Sequence, residues 1–229
     1  MDAGERLQLA DWRRQVSALY GEVRVMAADD PRAAWEHWRR TRERLYRDHP
    51  SSPVAPAVRA GFEGRYFDYD PRLRFELPLA VEPESRDGGP DSGVGSPDGP
   101  PEGPDLGLAA LLPISVGRPI SFERAGHLEV PFESGLRRLT VFWLPEYAGG
   151  LFLPFRDATN GHGTYGGGRY LLDSAKGADL GGDPAAGTVV ADFNFAYQPS
   201  CAFDPKWSCP LSPPDNRLDI AVAAGERLG

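Results

Sequence analysis

Residues 138–155 read RLTVFWLPEYAGGLFLPF, the sequence on which the prediction of a β fold rests. It holds two short apolar runs, RLTVFWL and LFLPF, separated by proline and glycine residues that favour turns. Such spacing is typical of neighbouring antiparallel strands. Similar short runs lie at 66–69, 73–77, 114–116, 120–122, 127–130, 169–172, 188–197 and 218–223. The runs at 66–69 and 73–77 flank the turn pair Asp70-Pro71, and together they predict a hairpin.

The first 50 residues have a different pattern, one of apolar residues at three- and four-residue steps: Leu9, Trp12, Val16, Leu19 and Val23. This spacing predicts a helix with one apolar face. A second helix is expected to begin at Asp30 as N-cap, with Pro31 in its first turn, and to end near His49-Pro50. The predicted fold class is therefore mainly β: an antiparallel β-sandwich or barrel-like sheet with two N-terminal helices packed on it, an α+β arrangement.

Two segments make up the predicted organisation, a helical segment at 1–52 and a β domain at 53–229. The β domain is interrupted at 83–105 by PESRDGGPDSGVGSPDGPPEGPD, which holds six Pro, six Gly and six acidic residues. Because almost nothing in it is apolar, we expect a disordered insertion.

Charge and hydropathy exclude several function classes. The chain of 229 residues has 25 Lys+Arg and 33 Asp+Glu, a net charge of −8, which argues against nucleic acid or an anionic membrane as partner. No apolar run is long enough for a membrane span, and the first residues lack a secretory pattern, so a soluble cytoplasmic protein is expected.

The loop FRDATNGHGTYGGGRY at 155–170 concentrates charged, hydroxyl and glycine residues between two predicted strands. Two interpretations are open: a wide hairpin loop with internal ion pairs, or a ligand loop in which Arg169 or Arg156 contacts an anion. The glycines match neither a P-loop nor a dinucleotide-binding fingerprint.

The run at 188–197 predicts a strand that places Asp192 and Asn194 on the same face, two residues apart. If that face lines a concave interior, the two polar groups form a binding constellation. If it faces solvent, they are ordinary surface groups.

Residues 198–218 form a proline-stiffened segment that contains Cys201 and Cys209, the two cysteines of the chain. It is expected to be ordered without regular structure. The cysteines are open to three interpretations: buried thiols, a disulfide, or metal ligands. The last lacks two further donors at supporting spacing, so no metal site is predicted.

Three blocks carry a resemblance to a known family: FRDATNGHGTYGGGRYL at 155–171, DFNFAYQPSCAFDPKWSCPLSPPDNRL at 192–218 and AGER at 224–227. They resemble the signature blocks of the domain-of-unknown-function 1684 family of bacterial proteins. The segment around Trp35, Ser52-Pro53 and 62–70 is similar to the amino-terminal part of that family. The resemblance implies a mainly β fold with leading helices, and it implies no activity or cofactor.

Two function hypotheses follow. In the first, the chain is a small-molecule-binding β-protein, and an enzyme if chemistry occurs, with a polar pocket formed by the 156–169 loop, the strand 188–197 and the segment 198–217. Its candidate ligand-binding residues are Arg156, Asp157, Thr164, Tyr165, Arg169, Asp192, Asn194, Tyr197, Asn216 and Arg217. Asp192 would serve as general base or cation ligand, and Arg156 or Arg169 as the anion contact. In the second hypothesis, the same residues form a buried hydrogen-bond network in a non-catalytic structural or interaction module.

Overall fold

The structure is a computed structural model that describes residues 1–81, 109–117, 120–145 and 149–228. The predicted insertion at 83–105 lies outside the described residues. No helix in the described ranges is long and apolar enough to cross a membrane.

Two long N-terminal helices form as the sequence predicts. Helix α1 spans Ala3–Ala27 and begins at a capping box between Asp2 and Glu5. Helix α2 spans Pro31–Asp48; the Asp30 side chain accepts a hydrogen bond from the Ala33 N–H, which confirms the predicted N-cap. A short helix α3 follows at Pro56–Arg59.

The remaining chain forms two antiparallel sheets, which confirms the predicted α+β class without closure into a barrel among the described strands. The strands are β1 (Arg74–Pro78), β2 (Ala109–Leu112), β3 (Ile120–Phe132), β4 (Gly135–Trp143), β5 (Leu151–Phe155), β6 (Arg169–Asp173) and β7 (Thr188–Asp192). The larger sheet has the order β2-β3-β4-β5-β6, and β1 pairs with β7 in the smaller one.

The large sheet is buried on both faces. One face carries Phe122, Phe142 and Phe152, which share a core with residues of α1 and α2. The other face carries Leu128, Leu139 and Leu153, which share a core with residues of β1 and β7. Because neighbouring strand residues point to opposite faces, one apolar run such as RLTVFWL supplies both cores.

Four predicted strands differ from the structure. Residues 114–116 form no strand, and Ile114 makes an isolated antiparallel bridge to Pro210. Residues 66–69 form no strand, because β1 pairs with β7 and not with a hairpin partner. The predicted strand 188–197 ends at Asp192 and continues as a 3-10 turn over Phe193–Phe195. Residues 218–223 form no regular strand. Conversely, the predicted runs at 120–122 and 127–130 belong to the single strand β3.

Candidate functional site

The predicted ligand loop is held at both ends by the large sheet, since it leaves β5 at Phe155 and enters β6 at Arg169. Gly168 makes the return with φ +98, and an added Cβ there would lie 2.6 Å from the Phe155 carbonyl oxygen. Only glycine fits this close approach without strain. The loop therefore has a fixed conformation and does not form an open hairpin.

Asp157 and Arg169 form a buried ion pair beneath the loop. The Asp157 Oδ2 lies 3.3 Å from the Arg169 Nη2 and accepts a hydrogen bond of 2.7 Å from the Val222 N–H. Arg169 donates to the carbonyl oxygens of Val222, at 2.9 Å, and Ala224. Burial lowers the pKa of Arg169, against the attraction of Asp157. Both side chains are fully buried and contact protein groups. A ligand therefore cannot reach Arg169, and the predicted anion contact at this residue is not possible.

Thr164 and Tyr165 shape the loop from within. The Thr164 hydroxyl accepts a hydrogen bond of 2.8 Å from the Asn160 Nδ2, which also donates at 2.8 Å to the Tyr165 carbonyl oxygen. Thr164 is fully buried, whereas Tyr165 is half-buried. Burial and the neighbouring Cys201 raise the pKa of Tyr165 to about 12, so it is a neutral phenol.

Asp192 and Asn194 face neither solvent nor a described cavity. Asn194 accepts a 2.8 Å hydrogen bond from the Asp70 N–H and donates at 2.8 Å to the Asp70 carbonyl oxygen and the Asp192 Oδ1. The Trp35 Nε1 donates to the Asn194 carbonyl oxygen. Asp192 lies 3.6 Å from the Arg74 Nη1. Burial raises the pKa of Asp192 to about 6.

Where the sequence predicts a concave interior beside this strand, the structure therefore has a tightly packed turn. Its cause is local: the Asp192 carboxylate accepts a hydrogen bond from the Asn194 N–H and turns the chain at the end of β7. The roles suggested for Asp192, general base or cation ligand, require access to a substrate that a fully buried side chain does not have.

Asn216 joins two strands of the large sheet. Its amide donates at 2.8 Å to the carbonyl oxygens of Thr140 in β4 and Pro154 in β5, and its Oδ1 accepts from the Thr140 N–H at 2.7 Å. Both N–H groups and the oxygen of this buried side chain are thus hydrogen-bonded inside the protein. Asn216 is a structural bridge and has no contact left for a ligand.

Tyr197 lies elsewhere, at the boundary between the sheet and α2. Its backbone pairs with that of Tyr170 in β6, and its hydroxyl lies 3.5 Å from the Asp173 Oδ2. The Arg42 guanidinium of α2 lies 4.6 Å from the ring centre. The structure therefore separates Tyr197 from the loop residues.

Arg156 and Arg217 line one cavity together with a third predicted residue, Asp157. Their backbones form a parallel bridge, in which the Leu218 N–H donates to the Arg156 carbonyl oxygen at 2.8 Å. Neither guanidinium has an ion pair or hydrogen bond within the described ranges, and the Arg156 Nε is buried without a partner. They line a cavity of about 270 Å³, here called the loop pocket, with Asp157, Ala158, Asn160, His162 and Gly166.

Four residues of the loop pocket were not among the sequence candidates: Ala158, Asn160, His162 and Gly166. All four belong to the predicted ligand loop, and the concentration of polar residues and glycine there was the signal for the last three. Sequence spacing could not show that the loop turns His162 and Gly166 toward the same space as Arg217.

The two cysteines are free thiols, so the disulfide interpretation is wrong for this structure. The Cys201 N–H donates to the Cys209 Sγ at 3.3 Å. A hydrogen bond between the two thiols lowers the pKa of Cys201 to about 6 and raises that of Cys209 well above its ordinary value. Among the described residues, no group of three or more histidine, cysteine and acidic side chains is arranged to hold a metal ion.

Solved structures with a similar fold include the one titled the solution NMR structure of the uncharacterized protein from gene locus rrnAC0354 of Haloarcula marismortui. It is 27% identical, with a TM-score of 0.56, and the match covers 89% of this chain and 97% of the other. No curated protein matches the chain. The family described as "Protein of unknown function (DUF1684)" matches residues 109–227, which include both arginines of the loop pocket. This match spans more than half of the sequence, and the chain therefore belongs to the DUF1684 family.

Proposed function

We propose that this protein binds a small anionic molecule, one carrying a carboxylate or phosphate group, in the loop pocket. The observation that carries the proposal is the pair of arginines, Arg156 and Arg217, which line one cavity with no anionic partner among the described residues. Guanidinium groups match carboxylate and phosphate oxygens with paired hydrogen bonds.

The charge balance of the loop pocket supports an anion. Asp157 is the one acidic residue on its wall, and the buried Arg169 neutralises its carboxylate. The Arg156 Nε is a buried donor with an unmet hydrogen bond, a state that costs free energy until a partner arrives. An anion placed between the two arginines would supply that partner.

The rigid setting of the pocket favours binding. The Arg156 N–H and carbonyl oxygen are hydrogen-bonded to Asn216 and Leu218, at 2.9 and 2.8 Å. Asn160 is fixed by its hydrogen bonds to Thr164 and Tyr165. A preformed site loses less conformational entropy when a ligand binds than a flexible loop does.

A second candidate function is the structural or interaction module. It is supported by the hydrogen bonds of Asp157, Arg169, Asp192, Asn194 and Asn216, which are made to protein groups. These residues stabilise the fold in either case, so the second candidate differs from the first only in leaving the loop pocket without a ligand.

The test is a titration of the full chain with inorganic phosphate and, separately, with acetate, followed by amide chemical shifts and calorimetry. We expect saturable shifts at the amides of Asn160 and Gly166 in the millimolar range. Arg156→Gln and Arg217→Gln should each weaken binding about tenfold, since a hydrogen bond to a charged group contributes about 1.5 kcal/mol or more. Stability should change little, because neither side chain has a partner to lose.

Two further variants complete the test. Arg6→Gln removes an exposed arginine of α1 and should leave phosphate binding unchanged. Gly166→Leu places a side chain where no atom lies within 4 Å of the added Cβ, so it should block the pocket without strain. Absence of saturable shifts, or native affinity in the Arg156→Gln/Arg217→Gln protein, would refute the proposal.

A further inference from the structure

A second cavity of about 270 Å³ is lined by residues of α1 and of the irregular segment 197–209. We call it the helix cleft. Its volume lies near the lower end of the range for small-molecule sites. Its walls come from residues far apart in the chain, so no local pattern in the sequence indicates it.

Six aromatic residues line the cleft: Trp12, Tyr20, Tyr46, Tyr170, Tyr197 and Trp207. Trp12 packs on Tyr46 with ring centres 5.7 Å apart, and Tyr170 meets Tyr197 edge to face at the same distance. The Trp207 indole is fixed by Pro53, another residue of the cleft wall, since its Nε1 donates to the Pro53 carbonyl oxygen at 2.9 Å. These rings present a preformed surface for an aromatic or aliphatic group.

The mouth of the cleft carries two exposed cations, Arg13 of α1 and Lys176. They are brought together by Gly177, whose positive φ of +83 lets the chain approach α1 so closely that an added Cβ would lie 3.0 Å from the Ser17 Cα. Ser17 is one helical turn from Arg13.

Counting all charges at the cleft leaves a positive balance. Lys176 lies 2.9 Å from the buried Asp173 carboxylate, and deeper in the wall Arg42 lies 2.5 Å from the Glu226 carboxylate. Arg13 has no ion pair within the part of the chain that the structure describes. The net charge facing the cleft is therefore +1.

We propose that the helix cleft binds a small hydrophobic monoanion, an aromatic or short-chain carboxylate. Its apolar body would lie between Trp12 and Trp207, and its carboxylate would meet Arg13 and Lys176 at the mouth. This site is separate from the loop pocket and does not depend on the function proposed there.

The test compares two probes of nearly equal shape, 4-phenylbutyrate and the uncharged 4-phenylbutan-1-ol, by tryptophan fluorescence and calorimetry. We expect both to bind, and the acid to bind more tightly. The titrations are repeated on the Arg156→Gln/Arg217→Gln protein, where the acid should bind as before. A failure of the cleft is thereby distinguished from a failure of the loop pocket.

Variants at the mouth test the role of charge. Arg13→Gln and Lys176→Met should each weaken the acid about twofold to fivefold, the range expected for an exposed ion pair. They should leave the affinity of the alcohol nearly unchanged. The matched control is Arg6→Gln, which removes an exposed arginine of the same helix outside the cleft and should change neither probe.

A filling variant tests the location. Ser200 lies on the cleft wall, and Ser200→Leu should abolish binding of both probes while circular dichroism and the melting temperature remain close to native. The proposal is overturned if the alcohol binds as tightly as the acid, if Arg13→Gln behaves like Arg6→Gln, or if a folded Ser200→Leu protein keeps its affinity.

Discussion

At the scale of single residues, Asp192 shows what an alternating sequence pattern cannot predict. Alternation along 188–197 predicts a strand with Asp192 and Asn194 on the same face, and the strand is real as far as Asp192. There the carboxylate hydrogen-bonds the backbone two residues on, and this local bond outcompetes the strand conformation. Aspartate as a residue type favours such a hydrogen bond, but the packing around the residue determines whether the bond forms.

The raised pKa of Asp192 predicts how stability depends on pH. Burial moves its pKa from 3.8 to about 6, so between these values the folded protein holds the proton more tightly than the unfolded chain. The folded state is therefore favoured at low pH, and this contribution is lost as the pH rises through the window. Asp192→Asn removes the titration and keeps an oxygen that accepts from Asn194. Between pH 4 and pH 7, we expect the free energy of unfolding of the variant to increase by about 3 kcal/mol relative to that of the wild type.

Urea unfolding at several pH values measures this difference. The control is Asp68→Asn, which removes an exposed carboxylate and should show no comparable change across the same window. The prediction is contradicted if the difference in unfolding free energy between Asp192→Asn and the wild type does not change with pH, or if it reverses sign. Either result would mean that burial does not destabilise the Asp192 carboxylate.

At the scale of elements, the junction between β4 and β5 depends on one side chain. The strands pair at Phe142 with Phe152 and at Trp143 with Leu151, and just beyond them the Leu144 N–H donates to the Gly150 carbonyl oxygen at 2.9 Å. On the opposite side of this pairing, the Asn216 side chain takes over the hydrogen bonds of both strands. The two strands could be predicted from their apolar runs, whereas their bridge could not, because Asn216 comes from a segment 61 or more residues later in the chain.

Asn216→Leu should therefore destabilise the protein by about 3 kcal/mol or more, since it leaves one buried N–H and two buried carbonyl oxygens without partners. Chemical unfolding measures the loss, and amide exchange locates it: the Thr140 N–H should exchange much faster than in the wild type. The neighbouring variant Asp215→Asn removes an exposed ion pair with Arg124 and should cost at most about 1 kcal/mol. Equal losses in the two variants would show that the bridge is not essential.

At the scale of the whole molecule, the class of fold could be predicted and the position of the sites only in part. Helical periodicity and a capping aspartate indicated α1 and α2, and short apolar runs indicated the sheets. The loop pocket combines a local signal, the polar loop after Phe155, with Arg217, which only the fold brings to it. The helix cleft has no local signal, since it exists only where α1 lies over the segment 197–209.

A buried ion pair between Arg42 of α2 and Glu226 joins α2 to the C-terminal segment, beside the apolar core that the helices share with the large sheet. The Glu226 carboxylate also accepts a hydrogen bond of 2.7 Å from the Gln198 N–H, and the Arg42 guanidinium lies 4.3 Å from the Tyr46 ring centre. Arg42→Met leaves a carboxylate buried without its cation, so we expect a loss of about 3 to 5 kcal/mol in the free energy of unfolding.

The second half of this experiment removes the stranded charge. In Arg42→Met/Glu226→Gln the amide oxygen still accepts from the Gln198 N–H, so stability should return toward the wild-type value. Arg47→Met, which removes an exposed arginine of the same helix, should cost no more than about 1 kcal/mol. The opposite result is that the losses in unfolding free energy of the two single variants add in the double variant. Arg42 would then stabilise the docking of α2 through ring packing alone, without a contribution from its charge.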